Sequence, residues 1–246
     1  MRGPAEVTPP GTNAAGGPPS AGSRWADFGP RALSAAVMLP LALYCLFAGG
    51  WAWNAMVLAA TAALLWEWWR MWRLNPGGHP ALSLLLGWGY MLAGAASLHW
   101  LRSDGTVGLM DVLFLLAVVW SSDIGAYIAG RVLGGPKLAP RISPGKTWSG
   151  ALGGLAAAML VGLLVSRQFA PGPVAHALLV AGVLSVASQL GDLLESACKR
   201  HFGVKDSSRL IPGHGGVFDR LDGVLGAAPV AVALAWALGP GVELWR

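Results

Sequence analysis

Seven stretches of this chain are apolar over roughly the length a helix needs to cross a bilayer, and no other feature narrows its possible folds so far. They run at about 31–48, 51–66, 81–101, 108–128, 149–166, 174–191 and 223–240. A helix needs about 20 mostly apolar residues to cover the hydrocarbon core. In lipid the backbone must satisfy its own N–H and C=O groups, which a helix does within one segment. Composition agrees. Only 12% of residues are charged, against the ~25% of soluble domains, and mean hydropathy is +0.55. The 35 Gly and 13 Trp are residue types favoured in spans and at membrane interfaces. The expected fold is therefore all-α, a polytopic integral membrane protein with about seven transmembrane helices. The first two runs are short enough to form a tight hairpin around Gly49 and Gly50, and no internal repeat is visible.

Residues 1–30, rich in Pro, Gly, Ala and Ser, read as a disordered tail ahead of a membrane-embedded domain over 31–246. The tail is too long and Pro-rich for the basic region of a signal peptide, and no small-residue cleavage site follows the first apolar run, which is expected to stay as a helix. With seven spans, 14 of the 17 Lys and Arg fall on one side, and only Arg102, Arg167 and Arg246 on the other. The positive-inside rule then puts the N-terminus and the long basic loops in the cytoplasm and the C-terminus outside. The expected location is the cell inner (plasma) membrane, multi-pass. The same asymmetry explains the net charge of +5 without a nucleic-acid partner. "WEWWRMW" (Trp66–Trp72) reads as a cytoplasmic interfacial belt. Cys45 and Cys198 match neither a disulfide framework nor a zinc spacing.

Three segments carry polar residues that a plain anchor would not need. In "WSSDIGAYIAGRVLGG" (Trp120–Gly135), Asp123, Tyr127 and Arg131 recur at i, i+4 and i+8 and share one helix face. A carboxylate at the depth of Asp123 faces a cavity or a partner; pairing with Arg131, or capping a helix end, is the plain alternative, and the residues do not choose. "GGPKLAPRISPGKTWSG" (Gly134–Gly150) contains Gly145-Lys146-Thr147, but Pro140 stands where a P-loop needs its first Gly and no strand is expected before it. A solvated basic loop is the plainer reading, although Ser143, Lys146 and Thr147 are suited to hold a phosphate. The third segment opens with "GDLLESACKR" from Gly191, where Asp192, Glu195, Ser196 and Lys199 share a face. Glu195 and Lys199 read as a surface ion pair, which leaves Asp192 unexplained at the end of an apolar run. The chain continues through Lys205-Asp206, "PGHGG" (Pro212–Gly216) and Asp219-Arg220-Leu221-Asp222. Glycines at 213, 215 and 216 let backbone N–H groups approach an anion closely.

Carboxylates at 192, 219 and 222 suit a hard divalent cation; Mg2+ is usually held by one or two carboxylates plus substrate phosphates. Lys199, Arg200, Lys205, Arg209 and Arg220 suit phosphate oxygens. Interleaved between two spans, the two sets have the composition of a metal-assisted phosphoryl or nucleotidyl transfer site at a membrane surface. The stretch from Ser196 to Asp222 resembles the signature of the phosphatidate cytidylyltransferases, also called CDP-diacylglycerol synthases. Ser196, Lys199-Arg200, Lys205-Asp206, Pro212, His214-Gly215-Gly216, Asp219-Arg220 and Asp222 stand at that signature's spacings. "SDIGAYIAGRVLGGPKLAPRISPGKTWSG" (Ser122–Gly150) is similar to the family's second stretch and "GDLLES" to the start of its third. The likeness is strong over about 120–225, the expected catalytic part. Cys198 departs from the usual aliphatic residue, Ser149 from the Glu of many members and Gly223 from a common Ser.

The resemblance implies an enzyme that joins CTP and phosphatidic acid, giving CDP-diacylglycerol and pyrophosphate in phospholipid biosynthesis, with its active site facing the cytoplasm and the bilayer. It implies Mg2+ at Asp192 and Asp219, with room for a second, monovalent cation such as K+, and Asp222 as a further metal candidate. Asp219, Asp192, Lys205 and Arg220 are the expected catalytic residues. Lys146, Ser143, Lys199, Arg200, Arg209, His214, Gly215, Gly216 and Asp123 are expected to bind substrate, with Asp206 in support; His214 reads equally well as a plain loop residue. Homodimers are common in the family, but no residue here indicates an interface. The nearest rival is a CTP-dependent polyprenol or phytol kinase, which the long match argues against. An ion-coupled transporter would place polar residues near mid-span in two related halves, and a structural anchor leaves the Asp cluster unexplained.

Overall fold

Each expected apolar run is a helix. In chain order these are α1 (Ala21–Ala48), α2 (Gly50–Trp72), α3 (Pro80–Arg102), α4 (Gly105–Val132), α5 (Trp148–Phe169), α6 (Val174–His201) and α7 (Phe218–Leu238). The computed structural model describes residues 21–169, 172–211, 213 and 215–246. The first 20 residues of the expected tail lie outside the described residues, and α1 begins at Ala21, before the first expected span. Among the described residues, five helices, α3 to α7, are long and apolar enough to cross a membrane, against the seven spans expected, and α1 holds a shorter apolar helix over Ala36–Ala48. Large apolar side chains such as Leu85, Ile124, Leu164 and Leu179 lie exposed on the outer face. Water would penalise so much exposed apolar surface, whereas lipid does not.

Between α4 and α5 the fold departs from all-α. Gly134 and Gly135 take positive φ values of 61° and 103°, a region only glycine enters freely, and Pro136, Pro140 and Pro144 oppose further helix. The chain instead forms a two-stranded antiparallel hairpin of β1 (Lys137–Ala139) and β2 (Ser143–Thr147), with Lys137 opposite Thr147 and Ala139 opposite Ser143. Gly145-Lys146-Thr147 therefore lies within a strand, and another strand precedes it, contrary to the expectation of none. Thr147 then caps α5, its Oγ1 accepting a hydrogen bond from the Gly150 N–H at 3.1 Å.

Two glycine-rich seams set the helix spacing. A Cβ added at Gly153 or Gly154 would overlap Ala129 or the Ser122 carbonyl, so α4 and α5 pack backbone to backbone. A Cβ at Gly191 would meet the Asp222 carbonyl at 2.5 Å and Gly226 at 3.0 Å, so α6 and α7 do the same. Buried polar contacts lock α4, α5 and α6: Ser122 and Ser185 hydroxyls lie 2.8 Å apart, and the Gln189 amide donates to Ser185 at 3.2 Å and to the Ala151 carbonyl at 3.2 Å.

The bundle ends differ. At one end Asn75 donates to the His201 carbonyl, Arg70 to the Ser207 carbonyl and Arg200 to the Ile142 carbonyl. The basic connections after α2, α4 and α6 therefore meet there. At the other end Arg102 donates to the Leu46 carbonyl, and the C-terminal segment docks through Leu244 N–H on Asp111 at 2.9 Å.

Candidate active site

The basic end of the bundle gathers the polar residues singled out in the sequence. The Gly191–Gly226 contact draws α6 and α7 together one residue before Asp192 and one turn after Asp222. As a result Asp192, Glu195 and Asp222 each offer a carboxylate oxygen within 4.8 Å of the others. Glu195 is only 1% exposed, so the expected surface ion pair is in fact internal. Lys199 stands on the next turn of α6, its Nζ 2.5 Å from Glu195 and 2.8 Å from Asp219. Lys146, carried in by β2, ion-pairs with Asp192. Four carboxylates thus share two ammonium groups, leaving two formal negative charges. Hard oxygen donors with that excess fit a divalent cation.

Asp219 belongs to this group through one oxygen and to the loop through the other. Its Oδ1 accepts from Lys199, while Oδ2 accepts from the Gly216 N–H at 2.9 Å and the Ser207 N–H at 3.0 Å. A carboxylate on backbone donors at the start of α7 is favoured by charge-assisted hydrogen bonding and the helix dipole. The glycines have a local reason. Gly215 takes φ 87° and pairs with Ile211 through hydrogen bonds of 2.8 and 3.2 Å. A Cβ at Gly216 would overlap the Ser207 hydroxyl and Glu67. The anion that the Gly216 N–H meets here is Asp219 itself. His214 and Pro212 lie outside the described residues.

Glu67 is the residue the sequence reading missed. It is wholly buried, and its carboxylate accepts from Ser208 Oγ at 2.6 Å, Ser207 Oγ at 3.0 Å, and the Val217 and Phe218 N–H groups at 2.8 Å each. It therefore fastens the loop from 207 to 218 onto α2. The next residue, Trp68, is also buried, edge-on to Phe202 at 5.1 Å and Phe218 at 6.3 Å. "WEWWRMW" is thus only half an interfacial belt. Trp66 and Trp69 face outward, with the Arg73 guanidinium 4.8 Å from the Trp69 ring. A lone Glu in an apolar run was the available signal.

Beside the acidic cluster opens a cavity of about 520 Å³, lined by Asp123, Tyr127, Arg131, Lys146, Gln189 and Asp192 among others. Arg131 donates to the Tyr127 hydroxyl at 3.1 Å rather than to Asp123, and Asp123, inside α4 and not at its end, lies on the cavity wall. Ser143 stands at the start of β2, half-buried. Arg200 holds the hairpin through Ile142. Lys205, Asp206, Arg209 and Arg220 are exposed at the same end. The arrangement offers carboxylates for a cation, ammonium and guanidinium groups for phosphates, and a cavity large enough for a small substrate.

The family model described as the cytidylyltransferase family matches residues 79–238. The chain is 54% identical over 173 residues to the phosphatidate cytidylyltransferase of Brucella suis, covering 70% of this chain and 61% of that protein. It is 46% identical over 132 residues to the phosphatidate cytidylyltransferase of Pseudomonas aeruginosa, covering 53% and 49%. With that of Haemophilus influenzae it shares 42% identity over 162 residues, covering 61% and 56%. The chain thus spans about half to three fifths of the length of the curated relatives it matches.

Proposed function

We propose that this chain, which belongs to the cytidylyltransferase family, transfers the CMP moiety of CTP to phosphatidic acid at the carboxylate cluster between α6 and α7. The observation that carries this reading is the meeting of Asp192, Glu195 and Asp222, with Asp219 joined through Lys199, beside a cavity edged by Lys146 and Arg131. In the reaction a phosphatidate oxygen forms a bond to the α-phosphorus of CTP. The bond from that phosphorus to the bridging oxygen breaks, and pyrophosphate leaves. The nucleophile is already an anion, so no strong general base is needed.

Asp192, Asp219 and Asp222, with Glu195 beside them, would hold Mg2+, and a second cation such as K+ has carboxylates to spare in the same cluster. When bound, Mg2+ would neutralise phosphate charge and align the reacting groups. The chain's own residues do the rest. Lys146 and Lys199 already sit on the carboxylates and are suited to turn to phosphate oxygens once a cation takes their place. With Arg200, Lys205 and Arg209 they offset the charge that develops on pyrophosphate, while Arg220 is suited to the phosphate of the lipid. Asp123, with Tyr127 and Gln189, edges the cavity that would receive the nucleotide.

The same reading places all seven helices in the membrane and the site on the cytoplasmic side. Support comes from the basic connections sharing one end of the bundle, because basic loops are retained in the cytoplasm. The bacterial inner membrane is the corresponding location.

The test uses purified protein, phosphatidic acid, Mg2+ and CTP labelled at the α- or the γ-phosphate. Label from the α position in lipid is expected. Label from the γ position, in assays that also include polyprenol or phytol, would make the protein a kinase and overturn the proposal.

A further inference from the structure

A second cavity, of about 450 Å³, lies on the opposite side of the first turn of α7 from the acidic cluster. It is enclosed by α1, α2, α3, α4 and α7 and lined by residues such as Leu46, Trp53, Met56, Leu98 and Leu116. Among the described residues that line it, one is charged: Arg220, at the basic end. Such a shape, largely apolar with one cation at its mouth, is complementary to a lipid tail beneath a phosphate headgroup.

Its length fits as well. On α2 the lining runs from Trp53 to Leu64, twelve residues spanning about 16 Å at the helical rise. One leaflet of hydrocarbon is about 15 Å, half of the ~30 Å core. Access is sideways: Met38 and Leu39 of α1 line the cavity and are 42% and 47% exposed on the outer face of the bundle. A lipid could therefore enter from the bilayer without leaving it. Thr61 in the wall turns its hydroxyl back onto the Val57 carbonyl at 2.7 Å, and Trp53 adds a ring whose indole N–H has no protein partner.

We infer that this cavity is the slot for one acyl chain of the phosphatidate substrate, with the headgroup at Arg220 and the chain running toward the α1–α2 turn. The inference rests on the proposed transfer reaction and adds the binding mode of its lipid. It also predicts that the slot sets acyl-chain preference. The other chain stays in the bilayer beyond Met38 and Leu39.

Two measurements test it. In the first, Ala60→Phe, which fills the middle of the slot from α2, is compared with wild type on dioctanoyl and dipalmitoyl phosphatidate. The ratio of kcat/KM for the long over the short substrate should fall about tenfold or more, and an unchanged ratio would overturn the slot while leaving the transfer reaction standing. In the second, wild-type protein without CTP is photolabelled with a phosphatidate carrying a diazirine at its chain end. Label should fall on α1 and α2 near Leu46, Trp53 and Met56, and excess phosphatidate but not phosphatidylcholine should compete it away. Label elsewhere, or equal competition by phosphatidylcholine, would overturn the substrate slot even if Ala60→Phe fails to fold. Wild type that transfers no label from CTP to any phosphatidate would bring down the reaction and the slot together.

Discussion

At the scale of single residues, the carboxylates divide by what they touch. Asp192 and Asp222 face each other across α6 and α7, and Asp219 turns one oxygen to Lys199. Replacing Asp192 or Asp219 by Asn keeps volume but removes a charge that Lys146 or Lys199 balances and that the proposed Mg2+ would use. Each change should lower kcat by about 10²–10³, the usual cost of losing one electrostatic partner of a transition state, with the protein still folded and in the membrane. A near-normal rate for Asp219→Asn would remove it from the metal ligands. Glu67 works differently, since it touches no cavity described above. Glu67→Ala would leave the Val217 and Phe218 N–H groups and the Ser208 hydroxyl without their acceptor, while Ser207 Oγ keeps Asp219 Oδ2, and should cost at least about 2 kcal/mol. Thermal melting in detergent checks this, and the loss of activity should follow the loss of folded protein.

Helices and their seams carry the next level. The Gly191–Gly226 approach fixes the spacing of α6 and α7 and so the spacing of Asp192 and Asp222. Gly226→Val should push the helices apart by wedging a side chain against Gly191, raise the Mg2+ concentration needed for half-maximal rate, and lower kcat about 10- to 100-fold, since misplacement near 1 Å has that effect. A Mg2+ titration of initial rate measures it. The helices themselves were legible because lipid tolerates few other solutions to a long apolar run. Asp192 and Asp222 could be singled out in the sequence because each stands at the end of an apolar run, but their meeting with Glu195 across α6 and α7 was not legible from spacing within either helix. The hairpin was not: its strands are three and five residues long, too short for a period-2 pattern to stand out. Glu195 was read as a surface residue because i, i+4 pairing says nothing about depth. Glu67 stayed hidden because its partners lie about 140 residues away in sequence, and no local rule reaches that far.

For the whole molecule, charge asymmetry and fold agree on which connections belong together. Asn75 and Arg200 lie at one end, Arg102 and the C-terminal segment at the other. In a background without Cys45 and Cys198, Asn75→Cys should react with a membrane-impermeant maleimide in inverted vesicles but not in intact spheroplasts, and Ser103→Cys should show the reverse. The opposite pattern would place the acidic cluster outside, away from cytosolic CTP.

One titration decides whether the carboxylate cluster is the transfer site. Transfer of α-phosphate label from CTP to phosphatidic acid is followed as Mg2+ is raised, for wild type and Asp192→Asn side by side. Wild type should need the divalent ion, and the variant should stay at least about 100-fold slower at every concentration while remaining folded. A variant that matches wild type across the titration would contradict the claim that this carboxylate cluster is where the transfer occurs.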